Sequence, residues 1–290
     1  MGGAPCFYRL YAGIQANKRC HEWNHVRNEK ERIIVKVVIL AGGYGTRLSE
    51  ETHALPKPMV SIGKMPILWH IMKYYSAFGF NQFVICLGYK GYIIKEYFYN
   101  YWMRQSDITL KTSPQGNEIK IHKSNAENWE ITLADTGIDV QTGLRIKNVQ
   151  EYIGNERFLL TYGDGVSNVD LNALIRQHEA SGKTVTITAI QPQGRFGVID
   201  FSEDLTITSF NEKGKSKYIN AGFMVAEPEL FNYLGKNEPL EYAPFEALVR
   251  EGKMGVYTHN GFWKCMDTLS DLNILEGIWK GGNVPWKIWE

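Results

Sequence analysis

A glycine-rich segment after an apolar run is the part of this sequence best suited to hold a phosphate group. Residues 40–48 read Leu-Ala-Gly-Gly-Tyr-Gly-Thr-Arg-Leu, and the apolar run occupies residues 35–41. Closely spaced glycines allow backbone N–H groups to approach a phosphate or a base without interference from side chains. Thr46 can donate a hydroxyl hydrogen bond, and Arg47 carries a fork of donors that matches phosphate oxygens. The segment therefore predicts a nucleotide-binding loop.

Two other glycine-rich motifs do not match this segment. A dinucleotide-binding fingerprint would need glycine at position 48, where the sequence has Leu48, and a P-loop would need Gly-Lys followed by serine or threonine. The remaining alternative is a tight turn that only connects a strand to a helix. Such a turn requires neither closely spaced glycines nor an adjacent arginine, so we favour the binding loop.

A lysine between two prolines, Pro56-Lys57-Pro58, follows the loop after a short connecting stretch. Proline restricts its own backbone and that of the preceding residue, which leaves Lys57 on a stiff tether. The ordinary alternative is a solvated surface lysine. Because this lysine is restrained and lies downstream of a phosphate-type loop, we interpret it as a fixed positive charge for a polyphosphate.

The sequence around these residues alternates strands and helices. Apolar runs at 35–41, 83–88 and 157–163 are typical of buried strands, and Pro66 begins an amphipathic helix over 66–77. This alternation predicts βαβ units, and hence an α/β fold with a mixed, mostly parallel sheet flanked by helices. Further strands are predicted at 107–112, 118–123, 130–134, 184–190, 196–201, 205–211 and 221–226, and further helices at 91–103, 170–181, 243–251 and 268–280.

The loop and the Pro-Lys-Pro-Met segment at 56–59 together resemble the signature of the sugar nucleotidyltransferase family. Segments in a matching order are similar to the cytidylyltransferase branch of that family, among them LADTG at 133–137, TYGDGVSNVD at 161–170 and PWKIWE at 285–290. The similarity extends from about Val35 to Glu290. It implies a Rossmann-like fold of the nucleotide-diphospho-sugar transferase type and a homo-oligomer, specifically a hexamer.

The resemblance implies that a cytidylyl group is transferred from CTP to α-D-glucose 1-phosphate, with Mg²⁺, to give CDP-glucose and pyrophosphate for dideoxysugar and O-antigen-type polysaccharide synthesis. The residue types fit this chemistry, because a sugar phosphate already carries an anionic oxygen nucleophile and needs no strong general base. The protein has to align that oxygen and neutralise charge. Arg47 and Lys57 are the expected catalytic residues.

The resemblance also implies contacts to both substrates. The nucleotide is expected to contact residues in and after the loop, namely Leu40, Ala41, Gly42, Gly43, Tyr44, Gly45, Thr46, Arg47, Lys57, Thr142, Arg145 and Gly163. Glu212, Lys213 and Asn220 are expected to contact the sugar phosphate. Gly214 replaces the proline that usually follows the lysine in the family.

Two aspartates are candidate metal ligands. Asp164 follows the strand at 157–163, and the carboxyl ends of strands are where open α/β sheets bind ligands. Asp267 precedes the last predicted helix, where capping of the helix N-terminus is the alternative role. The family resemblance favours ligands, since the equivalent residues hold Mg²⁺. Two carboxylates with phosphate oxygens and water suit this hard cation.

The composition excludes several other classes of protein. The chain has 32 Lys and Arg against 31 Asp and Glu, so a nucleic-acid binder that works through bulk charge is not expected. The longest apolar stretch, 33–41, contains Lys36 and is too short to span a membrane. Four irregularly spaced cysteines are typical of a reduced, cytoplasmic enzyme.

Residues 1–32 differ from the remainder, because they show no sustained periodicity. We expect a loosely ordered extension over 1–32 and a single nucleotidyltransferase domain over 33–290. The extension contains six basic and three acidic residues, which leaves the predicted domain with a net charge of −2. A domain of this charge must bind two polyanionic substrates through a few well-placed cations.

Two alternative functions remain open at this stage. A thymidylyl-, uridylyl- or guanylyltransferase acting on a sugar 1-phosphate would share the loop, Lys57 and both aspartates. A catalytically silent sensor of sugar nucleotides is the alternative from another class, although it would have no need of the charges aimed at pyrophosphate. The tyrosine-rich stretch 92–102 and the C-terminal tryptophans are candidate interfaces, with core packing as the alternative.

Overall fold

The computed structural model describes residues 35–45, 54–114, 116–191, 198–211 and 218–290. These residues fall within one compact unit, Ile34–Glu290. The predicted extension 1–32 and the predicted site residues Thr46, Arg47, Glu212 and Lys213 lie outside the described residues.

The strands and helices of these described ranges alternate along the chain. The strands are β1 (Lys36–Leu40), β2 (Ser61–Ile62), β3 (Met65–Pro66), β4 (Gln82–Leu87), β5 (Ser106–Ser113), β6 (Gly116–Ser124), β7 (Glu130–Asp135), β8 (Phe158–Tyr162), β9 (Gly165–Ser167), β10 (Val185–Ile190), β11 (Val198–Phe201), β12 (Ile207–Asn211), β13 (Ile219–Ala226), β14 (Met254–His259) and β15 (Trp263–Cys265). The helices are α1 (Ile67–Ala77), α2 (Gly91–Tyr99), α3 (Tyr101–Arg104), α4 (Thr142–Asn148), α5 (Gln150–Ile153), α6 (Leu171–Ser181), α7 (Ala243–Arg250) and α8 (Leu269–Lys280), and short 3₁₀ helices cover Lys57–Met59 and Pro228–Tyr233.

The central sheet has seven strands in the order β14-β10-β13-β8-β1-β4-β7. Only β13 among these seven runs antiparallel to its neighbours, β10 and β8. The predicted mixed, mostly parallel sheet is therefore confirmed. In the register of the sheet, Leu40 at the end of β1 lies opposite Cys86 on β4 and Tyr162 on β8. The carboxyl ends of these three parallel strands consequently meet at one edge.

Helices cover both faces of this sheet, which explains why β1 is apolar at successive positions. Val37 and Ile39 pack in one core cluster with Ile71 of α1. Val38 and Leu40 point to the opposite face and pack in a second cluster that includes helix α4. The alternating directions of side chains along a strand thus divide one apolar run between two cores.

Most predicted elements are present. The helix predicted at 91–103 is two helices, α2 and α3, which meet at Asn100. Helices α4 and α5, the edge strand β14 and the short strands β2, β3, β9 and β15 were not predicted. Trp286 is completely buried, so core packing accounts for it, whereas Tyr99 on α2 is 81% exposed. No helix in the described part of the chain is long and apolar enough to cross a membrane.

Candidate active site

A cavity of about 490 Å³ opens where the carboxyl ends of β1 and β8 meet, and we refer to it as the main cavity. It brings together every predicted nucleotide contact and metal ligand that lies in the described residues. These are Leu40, Ala41, Gly42, Gly43, Tyr44, Gly45, Lys57, Thr142, Arg145, Gly163, Asp164 and Asp267.

The three loop glycines differ in the structural feature that accounts for a glycine at each position. A Cβ atom on Gly42 would lie 2.4 Å from Arg145 Nη1 and 2.9 Å from the backbone nitrogen of Gly88. A Cβ on Gly43 would meet no heavy atom of the described residues within 4 Å. Gly45 has a φ of +65°, which favours glycine. Packing therefore explains Gly42, backbone conformation explains Gly45, and Gly43 is the position left open to the cavity.

The buried guanidinium of Arg145, which is 4% exposed, holds this loop in place. Its Nη2 donates to the carbonyl oxygen of Gly42 at 3.0 Å. Its other acceptors are Leu87 O, Gly137 O, Ile138 O and the Thr136 hydroxyl. Burial lowers the pKa of Arg145 from its usual value. The side chain thus joins the loops after β1 and β7, and its predicted contact with a nucleotide stays a prediction.

Lys57 lies between the two predicted metal ligands. Its Nζ is 2.6 Å from Asp164 Oδ2 and 2.5 Å from Asp267 Oδ1. Burial alone would lower the pKa of Lys57, but the two carboxylates outweigh burial and raise it above its usual value. The side chain is only 12% exposed. The lysine is therefore a restrained cation whose charge is balanced by the two aspartates, and its contact with a polyphosphate stays a prediction.

A two-stranded sheet brings the aspartates together from distant parts of the chain. In this sheet β9 pairs with β15, with Gly165 opposite Cys265. The backbone nitrogen of Met266 also donates to Asp164 O at 2.8 Å. These pairings place Asp267 beside Asp164, a proximity that no local sequence pattern indicates.

Capping of helix α8 was the alternative role for Asp267, but the next residue, Thr268, caps this helix. Thr268 is the N-cap residue, and its Oγ1 accepts from Asp271 N at 3.2 Å. Asp271 Oδ2 accepts in return from Thr268 N at 2.9 Å, which completes a capping box. The carboxylate of Asp267 points to Lys57 instead.

The two aspartates fit a hard cation such as Mg²⁺. Their oxygens converge on one positively charged group, the Lys57 ammonium, so a metal cation can be held between the same two carboxylates. The described residues contain no group of three or more His, Cys, Asp or Glu side chains that could hold a metal. Phosphate oxygens and water would have to complete an octahedral shell, as is common for Mg²⁺.

A second cavity of about 190 Å³ adjoins the first, and Tyr162, Asp164 and Asp267 line both. Asn220, a predicted sugar contact, lines this second cavity, and its Oδ1 accepts from Gly222 N at 2.9 Å. Cys265 lines it too, but burial raises the pKa of its thiol well above the usual value. This cysteine is therefore a packing residue and a poor nucleophile.

Two residues near the site, Tyr162 and Glu241, were not among the predicted site residues. Tyr162 stands in the wall between the cavities, and its hydroxyl donates to Glu241. Thr142 begins α4, and its hydroxyl donates to Glu241 Oε2 at 3.0 Å. Tyr162 lies in a segment with a recognisable pattern, but Glu241 lies in a loop whose neighbours match no motif.

Comparison with known protein families shows the class of this protein. The Nucleotidyl transferase family model matches residues 36–273, and the chain belongs to that family of enzymes. It is 48% identical over 260 residues to glucose-1-phosphate cytidylyltransferase of Salmonella typhi, an alignment that covers 88% of this chain and 100% of the relative. This confirms the resemblance seen in the motifs.

Two further comparisons agree. The chain is 43% identical over 258 residues to "Probable glucose-1-phosphate cytidylyltransferase" of Bacillus subtilis, which covers 88% of this chain and 100% of the relative. A solved structure of UDP-glucose pyrophosphorylase in complex with UDP-glucose superposes with a TM-score of 0.67 at 19% identity, over 86% of this chain and 99% of that one. The structural likeness shows a shared fold.

Proposed function

We propose that this enzyme transfers a cytidylyl group from CTP to α-D-glucose 1-phosphate and forms CDP-glucose and pyrophosphate. The observation that carries the proposal is that Asp164 and Asp267, both paired with Lys57, line two adjoining cavities. Identity along the full length of the cytidylyltransferase relatives supports the choice of base and sugar.

In this proposal the nucleotide occupies the main cavity and the sugar phosphate occupies the second. The aspartates line both cavities, so the α-phosphate would lie where the two substrates meet. The anionic oxygen of glucose 1-phosphate attacks the α-phosphorus in line, and pyrophosphate leaves. The open position at Gly43 lets the phosphates approach the loop backbone.

Lys57 supplies positive charge to the polyphosphate in this step. We propose that its ammonium leaves the aspartates and contacts the polyphosphate when the nucleotide binds. Asp164 and Asp267 are then available to hold Mg²⁺, which when bound supplies positive charge that stabilises developing charge on the phosphate oxygens. Alignment and charge neutralisation are what this reaction needs from the protein.

The remaining roles are proposals for residues outside the described ranges and for Asn220. Thr46 and Arg47 would contact the phosphates of the nucleotide, and Lys213 would contact the sugar phosphate. Glu212 and Asn220 would contact sugar hydroxyls. Asn220 is supported by its place in the wall of the second cavity.

A nucleotide panel tests the base specificity. Purified protein is supplied with glucose 1-phosphate, Mg²⁺ and either CTP, UTP, dTTP or GTP, and pyrophosphate release is measured. We expect CTP to give by far the fastest release. Comparable rates with another nucleotide would contradict the proposal and favour a thymidylyl-, uridylyl- or guanylyltransferase.

Removal of the metal tests the aspartates and the sensor alternative. EDTA should abolish turnover, and excess Mg²⁺ should restore it. Asp164→Ala should be inactive, whereas the control Asp107→Ala, an exposed position on β5, should be fully active. Tight binding of CDP-glucose without turnover of any nucleotide would favour the sensor, and an active Asp164→Ala would overturn the metal assignment.

We also propose a cytoplasmic location, a single catalytic domain over 33–290 and a homo-hexamer. Both cysteines in the described ranges, Cys86 and Cys265, are free thiols, which suits a reducing compartment. Light scattering on the full chain tests the hexamer, and a mass of one or two chains would contradict it.

A further inference from the structure

A carboxylate behind the two cavities connects their walls. Glu241 is half-buried and is not among the described residues that line either cavity. Its Oε2 accepts from the Thr142 hydroxyl at 3.0 Å, and its Oε1 accepts from the Tyr162 hydroxyl. Thr142 lines the main cavity, and Tyr162 lines both. One side chain therefore contacts the wall of each cavity.

The direction of both hydrogen bonds follows from the groups involved. Leu240 N donates to Thr142 Oγ1 at 2.8 Å, so the hydroxyl proton of Thr142 is directed to Glu241. The Tyr162 hydroxyl donates to the other carboxylate oxygen, Glu241 Oε1. Both hydroxyl protons are therefore directed to the same carboxylate.

The ring of Tyr162 is also restrained. A Cβ atom on Gly222 would lie 2.5 Å from Cδ2 of Tyr162, so this glycine lets the ring pack directly against the backbone of β13. The Tyr162 hydroxyl donates to Glu241. The position of the ring and the direction of its proton are thus both determined.

The loop that carries Glu241 has other attachments to the fold. Gly143 N donates to Glu238 O at 3.1 Å, and Leu240 and Phe245 are fully buried. Removal of the carboxylate should therefore leave the loop in place. What it removes is the shared acceptor of two hydroxyls at the site.

We propose that Glu241 is a positioning residue that orients Thr142 on the nucleotide side and Tyr162 in the wall shared with the sugar side. This inference rests on the proposed function, because it takes the second cavity as the site of the sugar phosphate. Tyr162 lines that cavity together with Asn220, the proposed sugar contact. Without Glu241 the Tyr162 proton loses its acceptor, and the hydroxyl loses its fixed direction.

Substitution at Glu241 tests the inference. Glu241→Gln keeps the shape but places an NH₂ group where one hydroxyl now donates, and Glu246→Gln at an exposed position of α7 is the matched control. We expect the KM for glucose 1-phosphate to rise about tenfold in Glu241→Gln, which corresponds to about 1.4 kcal/mol, because a hydrogen bond to a charged group is lost. The kcat should fall less than about threefold and the melting temperature should stay close to wild type.

A double-mutant cycle with Tyr162→Phe separates positioning from general loss of structure. If Glu241 acts through Tyr162, the double variant should show about the same KM for glucose 1-phosphate as the poorer single variant. Additive effects, or an unchanged KM in Glu241→Gln, would overturn the inference. Should Glu241→Gln not fold, the KM of Tyr162→Phe decides the question, and a wild-type value there would also overturn it.

The substrates for this cycle are those that wild type prefers in the nucleotide panel. A wild type that uses a different nucleotide overturns the proposed base while the cycle still tests Glu241. If wild type has no turnover, the affinities of the same variants for CDP-glucose are compared by calorimetry. If wild type turns over CTP and glucose 1-phosphate, and Glu241→Gln has the wild-type KM for glucose 1-phosphate, the inference about Glu241 fails while the proposed function stands.

Discussion

Lys57 Nζ lies 2.6 Å from Oδ2 of Asp164, so the lysine predicted to meet a polyphosphate is paired with a candidate metal ligand. The same nitrogen contacts Asp267 at 2.5 Å. A monovalent cation from the protein thus stands where a divalent cation would bind. Lysine and metal would compete for the two carboxylates until a nucleotide provides new partners for the lysine.

Replacement of this lysine should increase metal affinity in the absence of nucleotide. We expect Lys57→Met to bind Mn²⁺ at least about tenfold more tightly than wild type, because both carboxylates lose their competing cation. Calorimetric titration of nucleotide-free protein measures this. Lys64→Met, at an exposed position, is the control and should match wild type. Equal Mn²⁺ affinity in Lys57→Met and wild type would show that the ion pair does not limit metal binding.

Substitution of Gly42 should lower the stability of the fold, whereas substitution of Gly43 should lower the affinity for nucleotide. Gly42→Ala places a methyl group against Arg145 and the backbone of Gly88, and it should reduce the free energy of unfolding by about 2 kcal/mol. Gly43→Ala has open space among the described residues and should leave unfolding unchanged. Its methyl group would instead meet the ligand, so we expect nucleotide affinity to fall about tenfold.

Denaturant unfolding and nucleotide calorimetry on both variants test this contrast. Wild type is the reference for both variants. Each variant is also the control for the other, because the two glycines are adjacent in the chain. A Gly43→Ala variant that binds nucleotide normally would mean that the ligand does not approach this part of the loop.

Arg145 should matter for stability more than an exposed arginine does. Arg145→Met removes the donors to Gly42 O and to the loop after β7, so the hydrogen bonds through which the guanidinium joins these loops are lost. We expect the free energy of unfolding to fall by about 3 kcal/mol. Arg145→Lys should not restore it, because an ammonium lacks the planar fork that reaches both loops.

The matched control is Arg176→Met on α6, where the arginine side chain is 68% exposed. Its unfolding free energy should stay within about 0.5 kcal/mol of wild type. Urea titrations of the three variants measure the difference. An Arg145→Met chain as stable as Arg176→Met would refute the structural role assigned to this residue.

His70 should make the fold sensitive to moderate acid. The side chain is fully buried beside Trp279 and Trp286, and burial lowers its pKa from 6.5 to about 4 despite partly opposing hydrogen bonds to the backbone. Above pH 6.5 both folded and unfolded chains hold it neutral. Between pH 6.5 and 4 only the unfolded chain binds a proton, so the free energy of unfolding should fall by about 3 kcal/mol as the pH decreases.

Comparison of His70→Gln with wild type isolates this effect from other groups. Thermal or urea unfolding is followed from pH 7.5 to pH 4, and the wild-type decline should be steeper than that of His70→Gln. His122→Gln, at an exposed position on β6, should decline as wild type does. Parallel curves for His70→Gln and wild type would contradict a neutral, buried His70.

Local patterns predicted β1 and β8 well, because helices cover both faces of the sheet and the apolar run is continuous. Helix α4 was missed because it is only seven residues long and its buried Arg145 looks like a surface residue in the sequence. The break at Asn100 was missed because the apolar pattern continues across it.

At the site, the sequence by itself determined which residue types stand at the ends of β1 and β8, since loop glycines, a Pro-flanked lysine and a strand-end aspartate are local features. Only the tertiary structure decided that Asp267 joins Asp164 around Lys57 and that Glu241 connects Thr142 to Tyr162. Those contacts depend on the β9–β15 pairing and on the loop before α7. They join residues far apart in the chain, and such contacts leave no trace in local periodicity or motif spacing.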